Sequence, residues 1–207
     1  IYNSNRYFLR AALSHPWIEI RDFGIVPDNA DMIRTLVREA AGSCDVLITT
    51  GGVSAGDEDH MLDVLRRENA ELEVLKVAMR PGKPVTVGRI GGTLYFGLPG
   101  NPYAAAITFA RIAWPAIKLT GGMQPALPNW TPAISGFRYS RKTGRTEYVP
   151  VTWNRRDEFG RPIVEMLGRG SSACLSPMAA AKAIAILPPD LAVVEIGAPL
   201  RIEAVCE

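Results

Sequence analysis

Cysteine is scarce and poorly placed for crosslinking. Cys44, Cys174 and Cys206 are the three, odd in number, widely spaced and without a CxxC pair, which speaks against both a disulfide framework and a zinc site and fits a reducing cytoplasm. Histidine is scarcer still. His15, beside Pro16, reads as a loop residue, and His60, following acids, reads as a helix-start side chain, so neither supports an enzyme built on a histidine base. Although the pI is about 8.5, no long basic run exists, and nucleic acid finds no compositional support. No apolar stretch reaches membrane-spanning length. The first residues, IYNSNRYFLR, offer neither an initiator Met nor a signal-peptide core, and read as the interior of a longer protein. What remains is ample for folding: 207 residues, 47% of them hydrophobic, with a net charge of only +2. That is enough chain for one or two globular cores.

Two textures divide the chain. From Ile1 to about Gly122, helical and extended patterns alternate. Asp28 or Asn29 is placed to cap a helix whose apolar residues Ile33, Leu36, Val37 and Ala40 recur at helical spacing, ending at Gly42. Asp45 to Thr50 reads as a buried strand, Met61, Val64 and Leu65 as a helix face, and Thr93 to Phe96 as a further strand. Such alternation predicts an α/β domain with a mixed, mostly parallel sheet covered by helices. TGGMQPALPNWTP, from Thr120 to Pro132, is dense in glycine and proline and reads as a boundary. Beyond it, Tyr148 to Trp153, Ala183 to Leu187 and Leu200 to Val205 are short strand-like runs, predicting a small β-rich domain over 123–207 after an α/β domain over 1–122.

Three loops carry chemistry. In ITTGGVSAGDEDH a strand ends at Gly51-Gly52, where glycines let backbone N–H groups approach an anion and a following helix turns its positive end to the same space. Asp57 and Asp59, two apart, suit a hard cation such as Mg2+, which takes one or two carboxylates and keeps some of its waters. Capping acids and a tight turn explain the same letters equally well. No GK[ST] closes the loop, so it is not a Walker A motif. In TLYFGLPGNPYAAA a second strand runs into Gly97-Leu98-Pro99-Gly100, with Asn101 at a helix N-cap and Pro102 at its first position. Between them, KVAMRPGKP brings Lys76, Arg80 and Lys83 to a turn stiffened by Pro81 and Pro84. Cations, two phosphate-sized cradles and paired acids together suit a phosphorylated ligand or an oxyanion.

GGVSAGDED, MRPGKP and GLPGNP, in this order and spacing, resemble the molybdopterin molybdenumtransferase family, MoeA and the matching domain of gephyrin, and IYNSN resembles that family's IYDSN. The resemblance implies a three-layer, MogA-like molybdopterin-binding domain and a small C-terminal β domain in a homodimer. It implies the last step of molybdenum cofactor synthesis: adenylylated molybdopterin is bound, AMP is released, and molybdate enters the dithiolene with Mg2+ present. It assigns Gly51, Gly52, Ser54 and Gly56 to the phosphate loop, Asp57 and Asp59 to the metal and phosphoanhydride, and Lys76, Arg80 and Lys83 to molybdate and pterin phosphate. Asn5, Pro84, Gly100 and Asn101 join the substrate-binding set. Further on, GRTEY resembles the family's RxE[FY] and nominates Arg145, and RGSSACLSPMAAAKAIAILP resembles its serine-rich stretch and nominates Ser171 or Ser172.

Departures from the family pattern are Asn3 for Asp, His60 for an aromatic residue, Arg80 for Lys, Pro150 where a second Arg is frequent, and Lys182 for Asn. The strand and TGDEL-like turn that the family sets before IYDSN, and the two domains before those, do not occur in these 207 residues; a chain of this extent is expected to bind ligand and turn over poorly. Two other classes stay open. One is a MogA-like adenylyltransferase, which shares the α/β domain, lacks the β-rich tail and is also a candidate partner. The other is a gephyrin-like scaffold that recruits a protein.

Overall fold

The computed structural model describes residues 3–51, 60–124, 128–168 and 176–205. Two compact units result: Ile1–Val77 with Gly82–Pro125, and Ala126–Glu207 with the short insert Ala78–Pro81. Among the described residues no helix is long and apolar enough to cross a membrane.

The first unit contains helices α1 (Ser4–Ala12), α2 (Ala30–Ala41) and α3 (His60–Arg67), and strands β1 (Val46–Thr50), β2 (Glu71–Lys76), β4 (Pro84–Ile90) and β5 (Thr93–Leu98). It ends in helices α4 (Pro102–Thr108) and α5 (Trp114–Thr120). Asn29 caps α2, its Oδ1 accepting from the N–H groups of Asp31 and Met32. That satisfies two donors that would otherwise lack partners. Ile33, Val37 and Ala40 are the buried residues of α2, while Gly42 closes it at φ −89 rather than in a left-handed turn. Asn3 caps α1 in the same way, its Oδ1 accepting from Arg6 N–H, so the amide serves where the family has a carboxylate. Between α4 and α5 the helix widens to a π turn over Phe109–Ala113, with Trp114 N–H reaching Phe109 O. Pro115, in the first turn of α5, has no N–H to give and crowds the preceding turn, which accounts for the widening.

The strand order is β1-β5-β4-β2. β1 runs parallel to β5, whereas β4 is antiparallel to both β5 and β2. The sheet is therefore mixed, with less of it parallel than the alternation of helix and strand led us to expect. The reason is connection length: a tight turn at Gly91-Gly92 can join only antiparallel neighbours. Side chains alternate along β5. Tyr95 joins Ile33, Val37, Leu62 and Leu65 of α2 and α3, whereas Phe96 and Leu98 join Ala105, Phe109 and Ile117 of α4 and α5. Two helical layers thus enclose the sheet. β1 forms its outer edge, and a cavity of about 1280 Å³ runs between that edge and the extended run from Trp17 to Asp28.

The second unit is built from β3 (Met79–Arg80), β6 (Thr131–Ser135), β7 (Tyr139–Ser140), β8 (Thr146–Arg156), β9 (Pro162–Met166), the turn-length helix α6 (Ser176–Ala179), β10 (Ala183–Leu187), β11 (Val193–Val194) and β12 (Pro199–Ala204). Its main sheet runs β10-β12-β6-β9-β8-β3, and β10 also pairs with β8, closing the strands on themselves. Val149, Val151, Val164, Ala185, Leu187 and Ile202 fill the interior. β7 and β11 form a separate two-stranded ribbon. The β3 residues lie within KVAMRPGKP, a segment that reads from sequence as a turn.

The β2–β4 pairing generates a test. A Cβ on Gly88 would meet the Glu71 carbonyl and come within 2.7 Å of Leu72 Cδ2. Gly88→Ala is expected to destabilise the chain by about 1–3 kcal/mol through this overpacking. Gly92→Ala, whose Cβ meets nothing within 4 Å, is expected to be near neutral in the same urea titration.

Candidate functional site

Register and adjoining contacts place the described nominated residues of the first unit at one end of its strands. β1 and β5 are parallel, so they end at the same edge, and Gly51 N–H donates to Leu98 O at 3.1 Å. Gly51 adopts φ +79, a left-handed conformation that a glycine takes without steric cost. Gly100 lies beside it: a Cβ on Gly100 would sit 3.6 Å from Gly51 Cα. β4 is antiparallel to β5 with Thr86 opposite Gly97, which brings the start of β4, Pro84, to this edge. Lys76 pairs with Pro84 across β2 and β4, and Lys83 O accepts from Val77 N–H. Both lysine side chains belong to exposed residues. The start of α4 and the backbone of Lys76 and Lys83 therefore come to the same end of the strands as Gly51, an arrangement suited to anions.

Asn5 ties α1 to this edge. It is 5% exposed, and its Nδ2 donates to Gly100 O at 2.9 Å. Among the described residues its Oδ1 has no hydrogen-bond partner. A buried acceptor left so costs about 1–3 kcal/mol. Asn101 occupies the N-cap of α4 without a side-chain hydrogen bond to the cap. Beneath the edge, Tyr95 OH and Thr49 Oγ1 share a 2.7 Å hydrogen bond that links β5 to β1. Gly52, Ser54, Gly56, Asp57 and Asp59, like Ser171 and Ser172, lie outside the described residues. No cluster of three or more potential metal ligands occurs among the described residues, which do not include Asp57 or Asp59.

Arg80 and Arg145 belong to the second unit. Arg80 is registered opposite Glu147 in the parallel β3–β8 pair, and its Nε lies 3.4 Å from Glu147 Oε1. Glu147, 3% exposed, also accepts from Tyr139 OH at 3.0 Å and from Arg141 Nε at 2.8 Å. Arg141 Nη1 donates to Pro188 O and Leu191 O, and its Nη2 to Arg145 O. The side chain of Arg141 is 1% exposed. Sequence reasoning nominated Arg145 from GRTEY and passed over Glu147 in the same five letters. The available signal was a lone acid between strand formers, on the face of β8 that alternation turns inward.

The first unit is thus a three-layer α/β fold with its glycine turns and two lysines at one end of the strands, and the second is a closed β unit. Residues 1–119 match the family described as "Probable molybdopterin binding domain", and residues 132–204 match "MoeA C-terminal region (domain IV)". The first match covers more than half of the chain: it belongs to the molybdopterin-binding domain family. A molybdopterin molybdenumtransferase of a Nostoc species is 38% identical over 141 residues, 67% of this chain and 32% of that protein. One from Haemophilus influenzae is 29% identical over 204 residues, 98% of this chain and 50% of that protein. The chain thus spans half or less of the length of these relatives. The molybdopterin biosynthesis MoeA protein of Pyrococcus horikoshii superimposes with a TM-score of 0.76 at 22% identity, over 99% of this chain and 48% of its own, a likeness of fold.

Burial raises the pKa of Tyr139 above the ordinary 10.0, and the Glu147 carboxylate beside it pushes in the same direction, opposed by Arg80 and Arg141. A group raised on folding stabilises the protein fully below its unfolded value and ceases to do so as pH rises through the folded one. Alkaline difference absorbance between wild type and Tyr139→Phe should therefore show one tyrosinate appearing above pH 10.0, with stability falling through that interval. A step at or below the ordinary value would contradict the burial of the phenol against Glu147.

Proposed function

We propose that this chain provides the molybdopterin-binding and molybdate-handling part of a molybdopterin molybdenumtransferase. Adenylylated molybdopterin would lie along the edge of the first unit. Water attacks the phosphoanhydride and AMP leaves; the two dithiolene thiols then form two Mo–S bonds as one molybdate oxygen departs with their two protons as water, with no change in the oxidation state of molybdenum. The observation that carries this reading is the collection of Asn5, Gly51, Lys76, Lys83, Pro84 and Gly100 on one side of a single sheet. The family to which the chain belongs supports it, and the C-terminal match favours molybdenum insertion over adenylyl transfer, since it covers a region named for MoeA.

Each residue has a distinct task in this account. Backbone N–H groups of the Gly51-Gly52 and Gly100-Asn101 turns hold phosphate oxygens, where side chains would block approach. Ser54 and Gly56 extend the first cradle. Lys76 and Lys83 neutralise the phosphate and oxyanion charge as it changes hands. The Asn5 amide fixes the Gly100 carbonyl and offers its oxygen as an acceptor. Arg80 and Arg145, in the second unit, are assigned to oxyanion binding, with Ser171 or Ser172 as hydroxyl donors. Asp57 and Asp59 fit Mg2+ by donor type. Once bound, that ion would screen the phosphoanhydride and polarise the bond to be broken. The reading includes a cytoplasmic homodimer working after an adenylyltransferase of the MogA kind that supplies its substrate.

Lys83 gives the direct test of this account. It is exposed and follows Gly82 with Pro84 after it, so its ammonium reaches solvent from a constrained backbone. A charge-assisted hydrogen bond contributes roughly 1.5 to 3 kcal/mol, about ten- to a hundredfold in affinity. Lys83→Ala is expected to weaken calorimetric binding of molybdate or of adenylylated molybdopterin by that factor and to leave the melting temperature nearly unchanged. Intact binding with a lowered melting temperature would assign Lys83 to packing instead.

A further inference from the structure

Glu147 is bonded far more heavily than a structural β-strand position requires. Its Oε2 takes Arg141 Nε at 2.8 Å, and its Oε1 takes Tyr139 OH at 3.0 Å, with Arg80 Nε 3.4 Å away. Arg141 alone suffices to neutralise the carboxylate, and it is immobilised by three backbone carbonyls besides, those of Pro188, Leu191 and Arg145. The second guanidinium, Arg80, is therefore a net positive charge in this cluster, and its side chain is 41% exposed. A guanidinium is a planar fork: with Nε facing the carboxylate, the Nη1–Nη2 edge faces away from it. That edge is the one that receives two oxygens of a tetrahedral oxyanion side by side.

We propose that Glu147 is a positioning residue: buried and charge-compensated by Arg141, it draws in Arg80 through an ion pair on the Nε side, so that the outer edge of the fork is presented to molybdate. The inference rests on the assignment of Arg80 to oxyanion binding made above. β-strand register supports it, because Arg80 and Glu147 are partners in the parallel β3–β8 pair and their side chains leave the sheet on the same face. The same Arg141 that compensates Glu147 also holds the carbonyl of Arg145, so one buried pair steadies the backbone of the second nominated arginine.

Molybdate titration by calorimetry of the 207-residue chain, in a double-mutant cycle, tests this. Arg80→Ala is expected to weaken molybdate about ten- to a hundredfold, and Glu147→Gln to lose most of the same factor. In the Arg80→Ala background, Glu147→Gln is expected to cost nothing further, since coupling of this kind marks residues that act through one another. Glu147→Asp, which keeps the charge for Arg141 but withdraws the carboxylate from Arg80, is the second variant should Glu147→Gln fail to fold. It should show the same dependence on Arg80. If the loss at Glu147 persists in full without Arg80, its role is purely structural and the inference fails. If Arg80→Ala leaves molybdate affinity unchanged, the oxyanion assignment of Arg80 fails first and takes the positioning role with it.

Discussion

The candidate site depends on the parallel pairing of β1 with β5. Because the two strands run the same way and stay in register from Val46 opposite Leu94 to Thr50 opposite Leu98, both finish at the same edge. Their glycine turns are then neighbours without any contact between the turns having to arrange it. The Gly51 N–H bond to Leu98 O and the Thr49 to Tyr95 hydroxyl bond pin that end of the pair. Slipping the register by one residue would reverse the faces of β5, sending Tyr95 away from α2 and α3. The core on both sides of the sheet thus holds the candidate edge in place. Antiparallel β4 then brings Lys83 and Pro84 to that edge from the opposite chain direction, and β2 delivers Lys76.

A different kind of constraint governs the second unit. Among the described residues its buried interior is aliphatic, and the Glu147–Arg141 pair is a charged exception at its margin. Removing one partner of such a pair leaves an uncompensated buried charge, typically a loss of about 3–5 kcal/mol. An all-apolar substitute is often as stable as the pair, so stability alone is a weak reason for its presence. The extra partners, Arg80 and Tyr139, are what an apolar substitute could not serve. The insert that brings Arg80 there leaves the first unit's sheet after Lys76 and re-enters it at Pro84, so two of the nominated cations, Lys76 and Lys83, flank the excursion.

Elements with a local cause were legible in the sequence. α2 declared itself through Asn29 and the spacing of Ile33, Val37 and Ala40, and the strand before Gly51 through its β-branched run. The strand-to-helix turn at GLPGNP was legible because Pro102 and Asn101 each have a positional preference. What depends on distant partners was not. KVAMRPGKP looks like a charged turn because two strand residues, Met79 and Arg80, form a strand only by pairing with β8, more than sixty residues later. The antiparallel share of the first sheet was likewise hidden, since direction follows from connection geometry rather than from side-chain pattern. Glu147 was missed because an acid in a strand reads as exposed until its buried arginine is known. Gly51, Lys76, Lys83, Pro84 and Gly100 were nominated by motif and resemblance, and their common edge followed from register and contacts.

The central claim, that the edge built by β1 and β5 receives the pterin phosphate, is most directly tested by a nuclear magnetic resonance titration of the labelled chain with molybdopterin. The account predicts saturable shifts at the amides of Gly51, Gly100 and Asn101 and at the Asn5 side-chain amide, with the exposed α5 residues unmoved. Saturable shifts confined to any other surface, with these amides unchanged, would contradict it.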